Sequence, residues 1–167
     1  MTIEATKAKR HSSKASRTLR LTPGGYAGIA DRIAEIREQR LPELRPLLVD
    51  RERDERDVAD FERLLVEADE LEALLAEAVI MDDDDRGFDG NIEVGARVQI
   101  STADGSHEWV RIVHPAEAFL DGERISQTSP LATALLGARK SDSVWVEAPS
   151  GVWSCTVLDI DPSVTDG

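Results

Sequence analysis

Acidic side chains are concentrated in one short stretch of the sequence, VDRERDERD, from Val49 to Asp57. Its acids are Asp50, Glu52, Asp54, Glu55 and Asp57. Carboxylates three residues apart are nearly one helical turn apart, so such a pair can approach one ion if the backbone is helical. Oxygen ligands of this kind suit hard cations such as Mg²⁺. The pairs with this spacing are Glu52 with Glu55, Asp54 with Asp57, and Asp57 with Asp60.

Three arginines within the same stretch leave a second interpretation open. Arg51, Arg53 and Arg56 reduce its net charge to −2, and pairing between acids and arginines would compete with metal binding. Charge at the turn of a helical hairpin commonly serves only to keep the turn in solvent. The stretch therefore predicts either a cation-binding tip or a solvated turn.

The segment before the acidic stretch has the pattern of an amphipathic helix. Thr22 and Pro23 are a plausible N-cap and first helical residue. Side chains at steps of three and four then form one stripe, consisting of Ile29, Ile33, Ile36, Arg40, Leu44, Leu47 and Leu48. Pro42 and Pro46 each remove a backbone donor and should interrupt the helix locally.

The segment after the acidic stretch repeats this pattern with strong helix formers between the apolar residues. Its stripe consists of Val58, Phe61, Leu64, Leu65, Ala68, Leu71, Leu74, Leu75 and Ala78. Neither narrow stripe can be buried alone, so the two helices are expected to pack as an antiparallel hairpin. The acidic stretch lies midway and becomes the tip, roughly 37 Å from the base for arms of about 25 residues.

The second half of the chain has a β pattern. ARVQIST and HEWVRIV alternate apolar and polar residues around the turn sequence ADGS, and SVWVEA and VWSCTVLDI flank a Pro-Ser-Gly turn. ERIS is a candidate short strand. Ser129 as cap, Pro130 in the first turn and Gly137 at the end indicate one short helix. An antiparallel sheet carrying one helix is therefore predicted.

Composition restricts the function classes. The 167 residues carry a net charge of −13, but residues 1–20 are +5 and the remainder is −18. The acidic body disfavours general binding to duplex nucleic acid, although the basic tail could contact RNA or DNA weakly. The single cysteine, Cys155, is expected in a buried strand position and gives no zinc set with the scattered histidines. No apolar run spans a bilayer, which favours a cytoplasmic protein without membrane partners.

Motifs in both halves resemble a known family. VRIVHPAEAF, ISQTSPLATALLGARKSDSVWVEAPSG and VLDI are similar to the C-terminal domain of bacterial Gre-type (GreA/GreB-like) transcription factors, which has an FKBP-like fold. LTPGG, RLPEL and LEALLAEAVIMD are similar to that family's N-terminal coiled coil. The resemblance extends from about Leu21 to Ile160.

The resemblance implies a function as an accessory factor. Gre factors insert the helical hairpin into the secondary channel of RNA polymerase, where acids at the tip help to hold a second Mg²⁺, and the polymerase cleaves the 3′ end of its own backtracked RNA. By this resemblance the chain has no catalytic activity or cofactor of its own and uses the Mg²⁺ of RNA polymerase. Glu52 and Glu55 are the proposed shared ligands, and the tip acts indirectly on the 3′ end of the nascent RNA. Docking is expected near Ser129, Pro130, Leu131 and Gly137.

The tip departs from the family pattern and keeps alternatives open. Cleavage-competent members carry a Gly-Asp-Leu-x-Glu-Asn-Ala-Glu-Tyr type of tip, whereas this tip has neither the glycine nor the Asn-Ala-Glu-Tyr. Some Gre-like proteins occupy the same channel and inhibit the polymerase, which is the main alternative. Peptidyl-prolyl isomerase activity is disfavoured because Trp109, Trp145 and Trp153 lie in predicted strands, where they are expected to pack in the core or cover a face of the sheet. Regulation of some other enzyme is the third alternative.

Together these patterns predict an α+β protein of two domains. A basic disordered tail (1–20) precedes an antiparallel coiled-coil hairpin (21–81). An acidic linker (82–91) leads to an FKBP-like antiparallel sheet with one short helix (92–162), and a disordered tail (163–167) follows.

Overall fold

The computed structural model describes residues 18–49, 54–84 and 87–165. The predicted α+β class is confirmed, with helices in the first half and a five-stranded sheet in the second. The helices are α1 (Pro23–Glu35), α2 (Leu41–Leu44), α3 (Glu55–Glu77) and α4 (Pro130–Leu135). The strands are β1 (Arg20–Leu21), β2 (Val79–Ile80), β3 (Arg97–Thr102), β4 (His107–Val113), β5 (Arg124–Ser126), β6 (Ser143–Ala148) and β7 (Gly151–Asp161). Within the described ranges, no helix is long and apolar enough to cross a membrane.

The first helical arm begins where the sequence predicts. Thr22 is the N-cap of α1, and its hydroxyl accepts a hydrogen bond from the Gly25 N–H at 2.9 Å. Pro23 follows at the first helical position, where its missing N–H would have no partner in any case. The local signals of Thr22 and Pro23 were therefore sufficient to locate this helix end.

Two prolines change the type of helix within the first arm, as predicted. A π turn (Ile36–Arg40) precedes α2, and a 3₁₀ turn (Arg45–Leu48) follows it. The Leu41 N–H donates to the carbonyl of Ile36, five residues earlier. Pro42, the next residue, has no N–H to donate and its ring would crowd a regular α-helical turn, so the wider turn accommodates it.

The π turn shifts the apolar stripe, and the predicted stripe is wrong at Arg40 and Leu47. Leu41 is 5% exposed, whereas Arg40 is exposed and Leu47 is 46% exposed. The wider turn inserts an extra residue, so the side chain five positions after Ile36 faces the partner helix instead of the one four positions after it. The sequence prediction assumed regular α-helical steps of three and four residues, so it did not include this extra residue.

The two arms pack on each other through a small apolar cluster. Ile36, Leu41 and Leu44 of the first arm contact Leu64 and Ala68 of α3, with Phe61 at the edge. Leu65 is 36% exposed, so the prediction that it belongs to the seam is wrong. Leu64 and Leu65 are about 100° apart around the helix axis, and only Leu64 can face the first arm.

Ion pairs connect the same two arms outside the apolar cluster. Arg32 Nε donates to Glu67 Oε1 at 2.8 Å, and Arg37 Nε donates to Glu72 Oε1 at 3.0 Å. Arg37 also donates to Asp69. The hydrogen bonds that Arg37 donates to Glu72 and then to Asp69 are the largest influences on the pKa of Arg37 and raise it. Because these ion pairs are partly exposed, they contribute only modestly to the stability of the packed arms.

The sheet has the strand order β5-β4-β3-β7-β6. Both predicted hairpins, β3 with β4 and β6 with β7, are antiparallel and confirmed. The prediction of a purely antiparallel sheet is wrong at one edge, where β5 pairs with β4 in parallel and Arg124 lies opposite Arg111. After β4 the chain crosses over through a 3₁₀ turn (Pro115–Glu117) and re-enters the sheet in the same direction.

Helix α4 covers the sheet core. Ser129 is its N-cap, and its hydroxyl accepts from the Ala132 N–H at 3.2 Å, as predicted. Ala132 and Leu135 are buried in the main core cluster together with Cys155. Cys155 is 3% exposed in β7, which confirms the predicted buried strand position, and burial raises the pKa of its thiol.

The structure differs from the two predicted disordered tails, 1–20 and 163–167, where each of them joins the folded part of the chain. Arg20, placed in a disordered tail, belongs to β1, and the Leu19 carbonyl accepts from the Val79 N–H at 2.8 Å. Asp83, placed in a solvated linker, accepts from the Val164 N–H at 2.7 Å, and Val164 is fully buried. These partners are far apart in sequence, so local composition did not reveal the pairing.

Candidate functional site

The acidic tip consists of Asp54, Glu55 and Asp57 at the start of α3. Asp50 and Glu52, the other two predicted tip acids, lie outside the described residues. The predicted Glu52–Glu55 pair is therefore described only at Glu55, while both members of the Asp54–Asp57 pair are described.

Asp54 organises the start of α3. It is the N-cap, and its Oδ1 accepts from the Arg56 N–H at 2.9 Å. Its backbone carbonyl accepts from the Asp57 N–H at 3.1 Å. Glu55 and Asp57 follow in the first turn, where negative charge interacts favourably with the helix dipole. A structural role thus accounts for part of the acidity of this tip.

The described tip acids remain available to an external cation. Asp54 and Glu55 are exposed and Asp57 is half-buried. Within the part of the chain that the structure describes, none of the three forms an ion pair, and Arg56 forms none either. Asp60 contacts Arg63 at 3.4 Å, so the third predicted pair, Asp57 with Asp60, is partly engaged.

The tip alone is not a complete metal centre. Within the described ranges, no group of three or more metal-ligating side chains comes together. One or two carboxylates are nevertheless what Mg²⁺ accepts from a protein when phosphate oxygens and water complete its shell. The exposed acids therefore fit a shared ion and not one held by this chain alone.

The predicted docking residues have different environments. Pro130 is exposed, while Leu131 is half-buried against the sheet core. Gly137 has a φ of 84°, a value that favours glycine, and its N–H donates to the Ile92 carbonyl at 2.9 Å. Ser129 caps α4. Among the four predicted residues, Pro130 and Gly137 are thus exposed, and Leu131 and Gly137 support the fold.

An exposed tryptophan lies beside Pro130. Trp145 is 71% exposed, and with Pro130 and Ala134 it lines a groove of about 340 Å³. The expectation that the strand tryptophans pack in the core or cover the sheet is therefore wrong for Trp145. Trp109 and Trp153 are half-buried, and the Arg97 guanidinium lies 4.6 Å from the Trp109 ring centroid. A large exposed ring next to a groove is typical of a contact surface.

A second site, which the sequence pattern did not single out, joins the helical arms to the sheet. Glu117, at the end of the 3₁₀ turn after β4, is fully buried. Its Oε1 accepts from the Thr22 N–H and its Oε2 accepts from the Thr22 hydroxyl, both at 2.7 Å. The available signal was a glutamate inside VRIVHPAEAF, a motif that also carries the family resemblance.

Glycines of α1 permit this contact. A Cβ on Gly25 would lie 2.0 Å from Glu117 Cδ, and one on Gly28 would lie 2.8 Å from Leu120 Cδ1. Neither distance is compatible with a side chain unless the neighbour moves. The two glycines therefore allow α1 to approach the segment that carries Glu117.

We expect the stabilising contribution of Glu117 to fall as the pH rises. Burial is the largest influence on its pKa and raises it above the ordinary value of 4.5, while hydrogen bonds from Thr22 oppose the shift. The folded chain then holds the proton more tightly than the unfolded chain, so the contribution is fully present below pH 4.5 and is lost as the pH rises through the folded-state pKa. Urea unfolding of the wild type and Glu117→Gln, from about pH 4 to about pH 8, should give a shrinking difference in unfolding free energy. A difference independent of pH would contradict this assignment.

Comparisons with known proteins identify a family model and several relatives that are similar to this chain. The family model described as transcription elongation factor GreA/GreB, C-terminal, matches residues 88–162. The chain is 40% identical over 94 residues to transcription elongation factor GreA of Roseiflexus castenholzii, covering 54% of this chain and 58% of that protein. It is 32% identical over 152 residues to GreA of Thermotoga neapolitana, covering 85% of this chain and 96% of that protein. The match thus spans little more than half of the first relative and nearly all of the second.

A solved structure is also similar. GreA factor homolog 1 of Thermus thermophilus is 29% identical, with 87% of this chain and 99% of that chain covered at a TM-score of 0.38. From the sequence comparisons, the chain belongs to the GreA/GreB family of transcription elongation factors. The family prediction from the sequence motifs is therefore confirmed.

Proposed function

We propose that this chain binds bacterial RNA polymerase, enters its secondary channel with the helical arms, and stimulates cleavage of backtracked RNA. The observation that carries this proposal is the position of Asp54, Glu55 and Asp57 at the start of α3, the end of the arms opposite the sheet, where Asp54 and Glu55 are exposed and Asp57 is half-buried. Membership of the GreA/GreB family supports the choice of partner. Such a partner implies a cytoplasmic location.

The proposed function includes the finer architecture predicted from the sequence. In it the packed arms form an antiparallel coiled coil within residues 21–81, and the sheet with α4 forms an FKBP-like domain within residues 92–162. The contacts of Ile36 and Leu41 with α3 support the first part. The α4 helix packed across the sheet core supports the second.

The tip acts, in this proposal, by presenting carboxylates to a site that the polymerase completes. When bound, Mg²⁺ stabilises the negative charge that develops in phosphoryl transfer. Asp54 holds the start of α3 through the hydrogen bond that it accepts from the Arg56 N–H, and so positions Glu55 and Asp57 in the first turn of the helix. Asp50 and Glu52 belong to the same acidic stretch of the sequence and lie outside the described residues.

Docking of the sheet domain is assigned to the exposed surface around the start of α4. Pro130 and Trp145 are its accessible apolar groups, and Glu147 gives it one negative charge. The Ser129 cap keeps Pro130 at a defined place on that surface. Docking there and delivery of the tip are thus assigned to opposite ends of the chain's structure.

Cleavage by a stalled, backtracked polymerase with 3′-labelled RNA tests the proposal. Wild-type chain should accelerate release of short 3′ fragments, and Glu52→Ala/Glu55→Ala should abolish the acceleration without preventing binding. Glu62→Ala/Glu70→Ala is the matched control, since it removes two exposed acids from the same helix away from the tip. Equal loss in both double variants would contradict a specific role for the tip.

A channel-blocking regulator is the second candidate. The observation that favours it is Arg56, which lies in the first turn of α3 among the acids and forms no ion pair within the described residues. Slower cleavage and slower extension with retained binding would support this candidate and contradict the first. Absence of polymerase binding by the wild-type chain would contradict both.

A further inference from the structure

We propose that Glu117 is a positioning residue that sets the direction in which the helical arms leave the sheet. The contact involves Thr22, Gly25 and Glu117 and is called the junction below. This inference rests on the proposed function, because direction matters only if a partner held by the sheet must receive the tip at a defined place.

The hydrogen bonds of the junction restrict rotation as well as distance. Both carboxylate oxygens of Glu117 accept from one residue, one from the Thr22 N–H and one from its hydroxyl, each at 2.7 Å. Two bonds that converge in this way define an orientation, which a single bond does not. The start of α1 is thereby held against the segment that follows β4.

The same hydroxyl continues this connection into the helix. Thr22 Oγ1 donates to Glu117 and accepts from the Gly25 N–H at 2.9 Å. A hydroxyl has one donor and up to two acceptor sites, so capping the helix and binding the carboxylate are compatible. A change at Glu117 therefore acts directly on the residue that begins α1.

Burial makes alternative arrangements costly. Glu117 is 0% exposed and Thr22 is 1% exposed, so water does not replace their bonds when the contact breaks locally. Arg124 Nε lies 3.9 Å from Glu117 Oε2 and adds attraction at the same carboxylate. The close approach at Gly25, where a Cβ would lie 2.0 Å from Glu117 Cδ, leaves little room for tilting.

The length of the arms amplifies any error at the junction. With arms of about 37 Å, a rotation of about 10° at the base moves the tip by roughly 6 Å. Ligands approach Mg²⁺ at about 2.1 Å with near-octahedral geometry, so a displacement of that size removes a carboxylate from a shared ion. The junction joins the start of α1 to the 3₁₀ turn, and together with the close approach of Gly28 to Leu120 it restrains this rotation.

Distances between spin labels on the two parts of the full chain test the inference without polymerase. Cysteines introduced at the exposed positions Ala59 of α3 and Glu108 of β4 take the labels, while native Cys155 is buried. Gly25→Ala displaces Glu117 without removing a hydrogen-bonding group, and Thr22→Val removes the hydroxyl with little change in shape. Both should broaden the distance distribution, or shift it, by about 5 Å or more, as the rotation above requires.

Two control variants separate positioning from general damage. Gly122→Ala adds a methyl group where nothing lies within 4 Å, and Thr22→Ser retains the hydroxyl. Both should keep the wild-type distribution. Far-UV circular dichroism checks that each variant folds. If Gly25→Ala does not fold, the distance distribution of Thr22→Val decides the test. Wild-type distributions in the folded junction variants would overturn the proposal.

The cleavage assay separates this inference from the proposed function. Junction variants should bind polymerase as the wild type does but lose the tip-dependent effect by about tenfold or more, because misplaced groups no longer contribute. Glu52→Ala/Glu55→Ala should lose that effect with an unchanged label distance. Failure of the wild type to bind polymerase would contradict the proposed function, and the label distances would then decide the role of Glu117. Full tip activity in a junction variant with a displaced arm would overturn the inference.

Discussion

Leu64→Ala is expected to lower the unfolding free energy of the helical arms by about 3 kcal/mol, within the range for truncating buried leucines. Leu64 is 3% exposed and belongs to a small cluster between the arms, with five buried members among the residues that the structure describes. So small a cluster has few neighbours that can move into the resulting cavity. The arms of this variant should therefore unfold before the sheet, and the tip acids should then lose their defined positions.

Two spectroscopic probes separate the halves of the protein in this experiment. Trp109, Trp145 and Trp153 all lie in strands, so tryptophan fluorescence reports the sheet, while circular dichroism at 222 nm reports mainly the helices. During urea unfolding, Leu64→Ala should shift the helical transition and leave the fluorescence transition nearly unchanged. Equal shifts in both would show that the arms and the sheet unfold as one unit.

Leu65→Ala is the matched control for Leu64. It makes the same chemical change one position along α3, at a side chain that is 36% exposed. Its cost should be below about 1 kcal/mol, since little apolar area returns to water. A cost as large as that of Leu64→Ala would contradict the assignment of the seam.

Arg111→Met is expected to destabilise the sheet domain by about 3 kcal/mol, because it leaves buried acceptors without a donor. Arg111 is 4% exposed, and its Nη1 donates to the carbonyls of Gly95 at 2.9 Å and Ser163 at 2.8 Å. The Ser163 bond helps to hold the final segment, in which Val164 is fully buried. The variant should therefore also loosen the end of the chain. Tryptophan fluorescence during urea unfolding measures the loss.

Lys140→Met provides the comparison for Arg111. Lys140 donates to Asp159 at 2.9 Å, but its side chain is 64% exposed. Exposed ion pairs contribute up to about 1 kcal/mol, so this variant should be nearly neutral. If Arg111→Met cost no more than Lys140→Met, the interior role of the Arg111 guanidinium would be contradicted.

Elements with local signals were predicted closely. Thr22 with Pro23, and Ser129 with Pro130, each combine a capping side chain with a residue suited to the first turn. Capping joins atoms only a few residues apart, and for this reason it can be read from short sequence patterns. The two antiparallel hairpins followed equally local rules of alternation and turn composition.

Register within the first arm was predicted only in part. Pro42 indicated an interruption, but two or more adjustments of the helix are compatible with a missing donor. The π turn brought Leu41 into the seam in place of Arg40. Which adjustment occurs depends on packing against Leu64, on the other arm.

The position of the tip acids could be predicted from the sequence, whereas the contacts that these acids form could not. The positions of Asp54, Glu55 and Asp57 between two helical stripes sufficed to place them at the end of the arms. That Asp54 caps α3, and that Asp60 contacts Arg63, emerged from the folded helix.

Local patterns were enough to define the helical arms, the two hairpins and the family of this protein, because caps, turns and alternation involve neighbours in the chain. The parallel pairing of β5, the bonds of Asp83 to the final segment and the junction at Glu117 came only with the folded chain. Glu117 and Thr22 are nearly a hundred residues apart. Bringing such partners together depends on the packing of every element between them, which no short stretch of sequence records.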